Sequence, residues 1–149
     1  LGSGTGVKAD FDAGLKAYQA GDYATSLREF RVLAEKGDMW SQYVLGLMYN
    51  NGQGVAQDYK EAVRWYRKAA EQGHRMAQNN LGVMYDDGKG VLQDSVMAHM
   101  WYNIAGANGD KMGADNRAKI EKTMTASQIA EAQKLARKCM NTNYEDCGR

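Results

Sequence analysis

The sequence has no proline, two cysteines and two phenylalanines in 149 residues. The absence of proline favours helices, since nothing removes a backbone donor or fixes a kink. Two cysteines without paired metal-ligand spacing do not make a zinc site. Neither charge sign dominates: 19 Lys and Arg face 18 Asp and Glu, for a net charge of +1. No basic run stands out, which argues against a nucleic-acid partner. The longest tempting apolar run, Tyr43 to Tyr49, falls far short of the ~20 residues of a membrane span, which argues against membrane insertion.

What is present is ordinary for a folded domain. Hydrophobic residues make up 44% and charged residues 25%. A chain of this length suits one domain and buries roughly 70% of its unfolded surface. The opening LGSGTG has no initiator Met and reads as a trimmed mature end or a tag remnant, so any export signal lies outside the sequence. The 17 glycines fall at regular places rather than in a linker.

That regularity is a repeat. Residues 38–73 shifted by 36 land on 74–109 with fifteen identities, among them Gln42/Gln78, Gly46/Gly82, Tyr49/Tyr85, Gly54/Gly90, Asp58/Asp94, Trp65/Trp101 and Tyr66/Tyr102. A period of this length means stacked units, each unable to bury its apolar face alone.

Each unit reads as two helices. The first runs from about Met39 to Asn50, with Gln42, Leu45, Gly46 and Tyr49 on one stripe. Glycine inside a helix costs about 1 kcal/mol against alanine. Its recurrence at Gly46 and Gly82 suggests a partner backbone crossing with no room for a Cβ. The stretch NNGQGVAQ makes a long turn, Asp58 caps the second helix, and Glu61 completes a capping box. Ala62, Trp65, Tyr66 and Ala69 form the buried stripe, and Gly73 supplies a left-handed stop. Residues 10–37 are a short first unit, with Gly14 in the place of Gly46. Residues 110–149 are a degenerate capping pair: a first helix from Lys111 to Thr123, then a capping box of Thr125 and Gln128. Ile129, Ala132, Leu135, Ala136 and Cys139 share one face of the last helix.

The segments LGLMYNNGQGVAQDYKEAVRWYRKAAEQG and LGVMYDDGKGVLQDSVMAHMWYNIAGANG resemble the Sel1-like repeat family, relatives of the tetratricopeptide repeats. The resemblance implies an all-α solenoid of antiparallel helix pairs, a superhelix whose first helices line a concave surface. Ala56 and Leu92 stand where the family often has proline.

Candidate chemistry is sparse. GQGVAQ and GKGVLQ lack the third glycine of a dinucleotide loop, and no strand precedes them. They are turns. His74 and His99 have no ligand partner three or four residues on, so neither a metal nor another cofactor is indicated. The carboxylates Asp86 and Asp87 have Asn50 and Asn51 as counterparts and mark a helix end. Cys139 and Cys147 are two thiols in a reducing compartment or a disulfide in an oxidising one. Cys-terminated tails occur in exported bacterial Sel1-like proteins, and this likeness implies the disulfide and a periplasmic or secreted location.

Tetratricopeptide-type stacks meet their ligands through outward positions of the first helices. Carried over by register, these are Trp40, Tyr43, Leu47 and Asn50, then Met76, Asn79, Val83 and Asp86, then Met112, Asp115 and Lys119. Apolar anchors beside side-chain amides suit a peptide groove. The function implied is a non-catalytic scaffold for a partner protein or peptide. An exposed end of the stack also offers a surface for self-association, and the degenerate last pair argues against continuation there. An alternative comes from cysteine-rich relatives linked to binding or hydrolysing penicillin-like compounds. Those carry a cysteine pair in each repeat, which this chain lacks, and no Ser-x-x-Lys is present.

Overall fold

The computed structural model describes residues 10–148; the LGSGTG opening lies outside them. Among the described residues there are eight helices and no strand. They are α1 (Phe11–Gln19), α2 (Tyr23–Glu35), α3 (Met39–Asn51), α4 (Tyr59–Ala70), α5 (Arg75–Asp87), α6 (Ser95–Ala107), α7 (Lys111–Glu121) and α8 (Ala126–Asn141). Each helix packs on the next along the chain from α1 to α7, an α-solenoid of antiparallel pairs. Helix α8 departs from that order and packs on α6 rather than on α7.

Six helices begin with an aspartate cap, whose carboxylate accepts first-turn N–H groups otherwise left without partners. Helix α5 instead uses the imidazole of His74, in the position of Asp38 one unit earlier. Thr125 and Gln128 form the predicted capping box. Asp58 caps α4 as predicted, but no box forms there. Its N–H donates to the Tyr49 carbonyl at 2.9 Å, and Glu61 turns to Arg64 instead.

The core follows the repeat. Trp65 packs with Ala34 and Leu45 between the first two units; Trp101, Tyr66, Leu81 and Ile104 fill the centre. At Gly46 a Cβ would lie 2.5 Å from Tyr66 Cδ1, and at Gly82 it would lie 2.6 Å from Tyr102 Cδ1. The missing Cβ makes room for a tyrosine ring, not for a crossing backbone. Gly54 and Gly90, both at φ 73°, press on the carbonyls of Tyr23 and Tyr59. That approach excludes any side chain and ties each long turn to the second helix of the unit before.

A buried polar relay joins the units. Gln42 Nε2 donates to the Ala34 carbonyl at 3.1 Å, and Gln78 Nε2 donates to the Ala70 carbonyl at 3.0 Å. Both acceptors lie at the ends of second helices, whose last carbonyls have no partner within the helix. Each relay glutamine accepts in turn from a residue just past the end of its own unit's second helix, from Gln72 at 2.8 Å and from Asn108 at 2.9 Å. Arg31 and Arg67 likewise donate to the Tyr49 and Tyr85 hydroxyls of the following unit, both at 2.7 Å.

Candidate partner-binding face

Helix α3 carries the first predicted group. Trp40 is 45% exposed, while Tyr43, Leu47 and Asn50 are half-buried along the same helix. Trp40 and Tyr43 share a cleft of about 560 Å³ with Phe11 and Leu15 of α1, Leu33 of α2, and Asp38 and Val44. Leu47 and Asn50 meet Val83 of α5 in a second cavity of about 130 Å³, completed by Tyr66, Asn80 and Met84. Trp40 also meets Met76 of α5 in a cavity of about 150 Å³ at the start of that helix, beside His74 and Arg75. The structure thus brings Trp40, Tyr43, Leu47, Asn50, Met76 and Val83 into three neighbouring hollows.

The remaining predicted residues divide. Asn79 is buried and accepts from the Asn116 amide at 3.0 Å, so it belongs to the α5–α7 contact. Asp86 accepts from the Tyr102 hydroxyl at 3.0 Å and is half-buried. Met112 is 64% exposed on α7, apart from these hollows. Asp115 pairs with Lys111 at 3.7 Å, and Lys119 is exposed.

His74 organises the middle of this face. Its Nδ1 accepts from the Ala77 N–H at 3.2 Å, which requires the neutral ring with its proton on Nε2. Tyr43 stacks on the imidazole at 4.6 Å between centroids, and Trp40 meets it edge to face at 4.4 Å. Burial, followed by the charge of Arg75, lowers its pKa to about 4. Burial raises the Tyr43 and Tyr66 hydroxyls above the ordinary phenol range, partly offset by the Asn80 amide beside them. These groups stay neutral at physiological pH.

The sequence reading missed Phe11, Leu15, Leu33, Asp38, Val44 and Asn80. Aligning Gly14 with Gly46 places Leu15 at the position of Leu47, so extending the register one unit back would have found it. Cys139 and Cys147 are joined by a disulfide, both sulfur-bearing residues buried. His99 is buried against Glu121, Nε2 to Oε1 2.8 Å. No group of three or more metal-ligating side chains occurs among the described residues, and no helix there is long and apolar enough to cross a membrane.

Comparison with known proteins matches the Sel1 repeat to residues 41–74 and 75–110. No curated protein matches the chain. A protective antigen of uropathogenic Escherichia coli displaying an SLR fold is 33% identical with a TM-score of 0.83, over 88% of this chain and 30% of its own. A Sel1 repeat protein from Oxalobacter formigenes is 32% identical with a TM-score of 0.63, over 77% of this chain and 44% of its own. The chain therefore spans less than half the length of either solved structure.

Proposed function

We propose that this chain, which belongs to the Sel1-repeat family, is a non-catalytic scaffold that holds a partner protein or extended peptide on the concave face of its helical stack. The observation that carries this reading is that α3 turns Trp40 and Tyr43 into the α1–α3 cleft and, further along the same helix, Leu47 and Asn50 into the α3–α5 hollow with Val83. Apolar anchors alternate there with the amides of Asn50 and Asn80, the chemistry that takes up side chains and backbone groups of an extended segment. Among the described residues of this face, His74 accepts from the Ala77 N–H and its ring is covered by Trp40 and Tyr43, which suits a packing role better than that of a base.

The buried Cys139–Cys147 disulfide supports an oxidising compartment, hence a periplasmic or secreted protein. The likeness to a bacterial antigen points the same way. Self-association through an exposed end of the stack is the second way such a protein would find a partner.

The test compares the native protein with a Trp40→Ala/Leu47→Gln variant of matched helicity in affinity capture from native extract. A partner held by the native form and lost by the variant supports groove recognition. Equal capture by both forms moves the function off this face.

A further inference from the structure

The α1–α3 cleft has a composition that goes beyond a generic peptide groove. Three aromatic rings, those of Phe11, Trp40 and Tyr43, line the α1–α3 cleft together with aliphatic side chains. Among the described residues that line the cleft, Asp38 carries the one carboxylate and none is cationic. Asp38 is exposed. Its Oδ2 takes both the Ser41 N–H at 2.8 Å and the Ser41 hydroxyl at 2.6 Å. Its Oδ1 has no hydrogen bond among the described residues. Aromatic rings attract cations through the ring quadrupole, here those of Phe11 and Trp40, since Tyr43 is stacked on His74. Aliphatic walls accept the methylene stem of a long basic side chain, and a free carboxylate oxygen fixes the charged end.

We propose that this cleft receives a lysine or arginine side chain of the partner segment, flanked by an apolar residue, with Asp38 as its counter-charge. The inference rests on the groove reading above and assigns the partner its chemistry. A free quaternary amine would satisfy the rings and the carboxylate, but it would leave most of the 560 Å³ and the Leu47–Asn50 hollow further along α3 empty. A peptide fills both.

The experiment uses tryptophan emission, because Trp40 is exposed while Trp65 and Trp101 are buried. The probe is acetyl-Leu-Arg-Leu-amide, compared with the same peptide carrying citrulline, the neutral isostere of arginine. The arginine peptide is expected to bind at least tenfold tighter. Asp38→Ser, which keeps a capping hydroxyl on α3 and removes the charge, is expected to abolish that difference while the urea midpoint shows the fold intact. Equal binding of the two peptides, or selectivity undiminished in D38S, overturns the proposal. So does binding of tetramethylammonium with the peptides inert, or an emission shift that grows with protein concentration alone, which would give the cleft to a second copy. Leu47→Gln lies outside the cleft: a partner whose capture depends on Leu47, without arginine selectivity at Asp38, would retain the groove and reject only the cation.

Discussion

The side-chain amide of Asn108 donates to the hydroxyl of Tyr144 at 3.0 Å, while the same nitrogen donates to Gln78. One unit earlier Gln72 spans from Gln42 to the Gly37 carbonyl by itself. Asparagine is one methylene shorter, and the tyrosine of the disulfide-closed tail supplies the second acceptor. The Tyr144 ring meanwhile lies against Gly73, where a Cβ would stand 3.6 Å from it. The tail therefore completes the last step of the polar relay.

Opening the tail should loosen that step. Removing the disulfide in Cys139→Ala/Cys147→Ala is expected to cost up to roughly 2.6 kcal/mol by loop-closure entropy, and Tyr144→Phe about 1 kcal/mol. Urea denaturation of the oxidised protein measures both. Less than the sum in the triple variant would show that the two act through one contact.

The relay glutamines should be intolerant of truncation. Gln78→Ala removes one of the two donors to the buried Ala70 carbonyl, which keeps the Gly73 N–H at 3.0 Å, and is expected to destabilise by about 0.5–1.5 kcal/mol. A double-mutant cycle of Gln78 with Asn108 should yield a coupling energy of about 0.5 kcal/mol or more. A zero coupling would remove the relay from the account of stability.

Gly46→Ala should destabilise although alanine is the better helix former. The new methyl meets the Tyr66 ring at 2.5 Å, and that ring is buried with little room to withdraw. Overpacking of this kind costs about 1–3 kcal/mol. Thermal melting of G46A beside G46A/Y66L checks the cause, since shortening Tyr66 should recover part of the loss.

Acid should act through His74. Its folded pKa of about 4 lies below the ordinary 6.5, so the unfolded chain binds more protons between these values. Stability is then full above about pH 6.5 and falls as pH drops towards 4, by on the order of 3 kcal/mol. His74→Asp, which restores the cap used at Asp38, should flatten that window and move the remaining dependence to lower pH. Urea midpoints across pH 4 to 7 decide; an unchanged slope in H74D would rule out His74 as the source.

The parts of this structure that could be read in the sequence are those that repeat within a helix period. Leu45, Gly46 and Tyr49 recur one unit on as Leu81, Gly82 and Tyr85, and the pattern alone places them on one buried stripe. It does not say what fills the space beside Gly46, because Tyr66 reaches it from another helix. The same limit applies to Glu61. Its spacing from Asp58 is that of a capping box, but the Asp58 N–H is taken by Tyr49 across the turn, a tertiary bond without a local signature. Asn79 stands in register with Tyr43, yet the closer approach of α7 buries it against Asn116. Register predicts direction along a helix, and neighbours decide exposure.

Gly54 and Gly90 seat one unit on the backbone of the last with no side chain in between. Spacing along the stack is therefore set by main chain against main chain and does not depend on which residues face the groove. Trp40 and Met76 can differ in size and chemistry while the interval between their units stays fixed. The array acts as a ruler whose marks can be rewritten singly: on the function proposed above, a new partner would require new letters at those positions and no change in the distance between them.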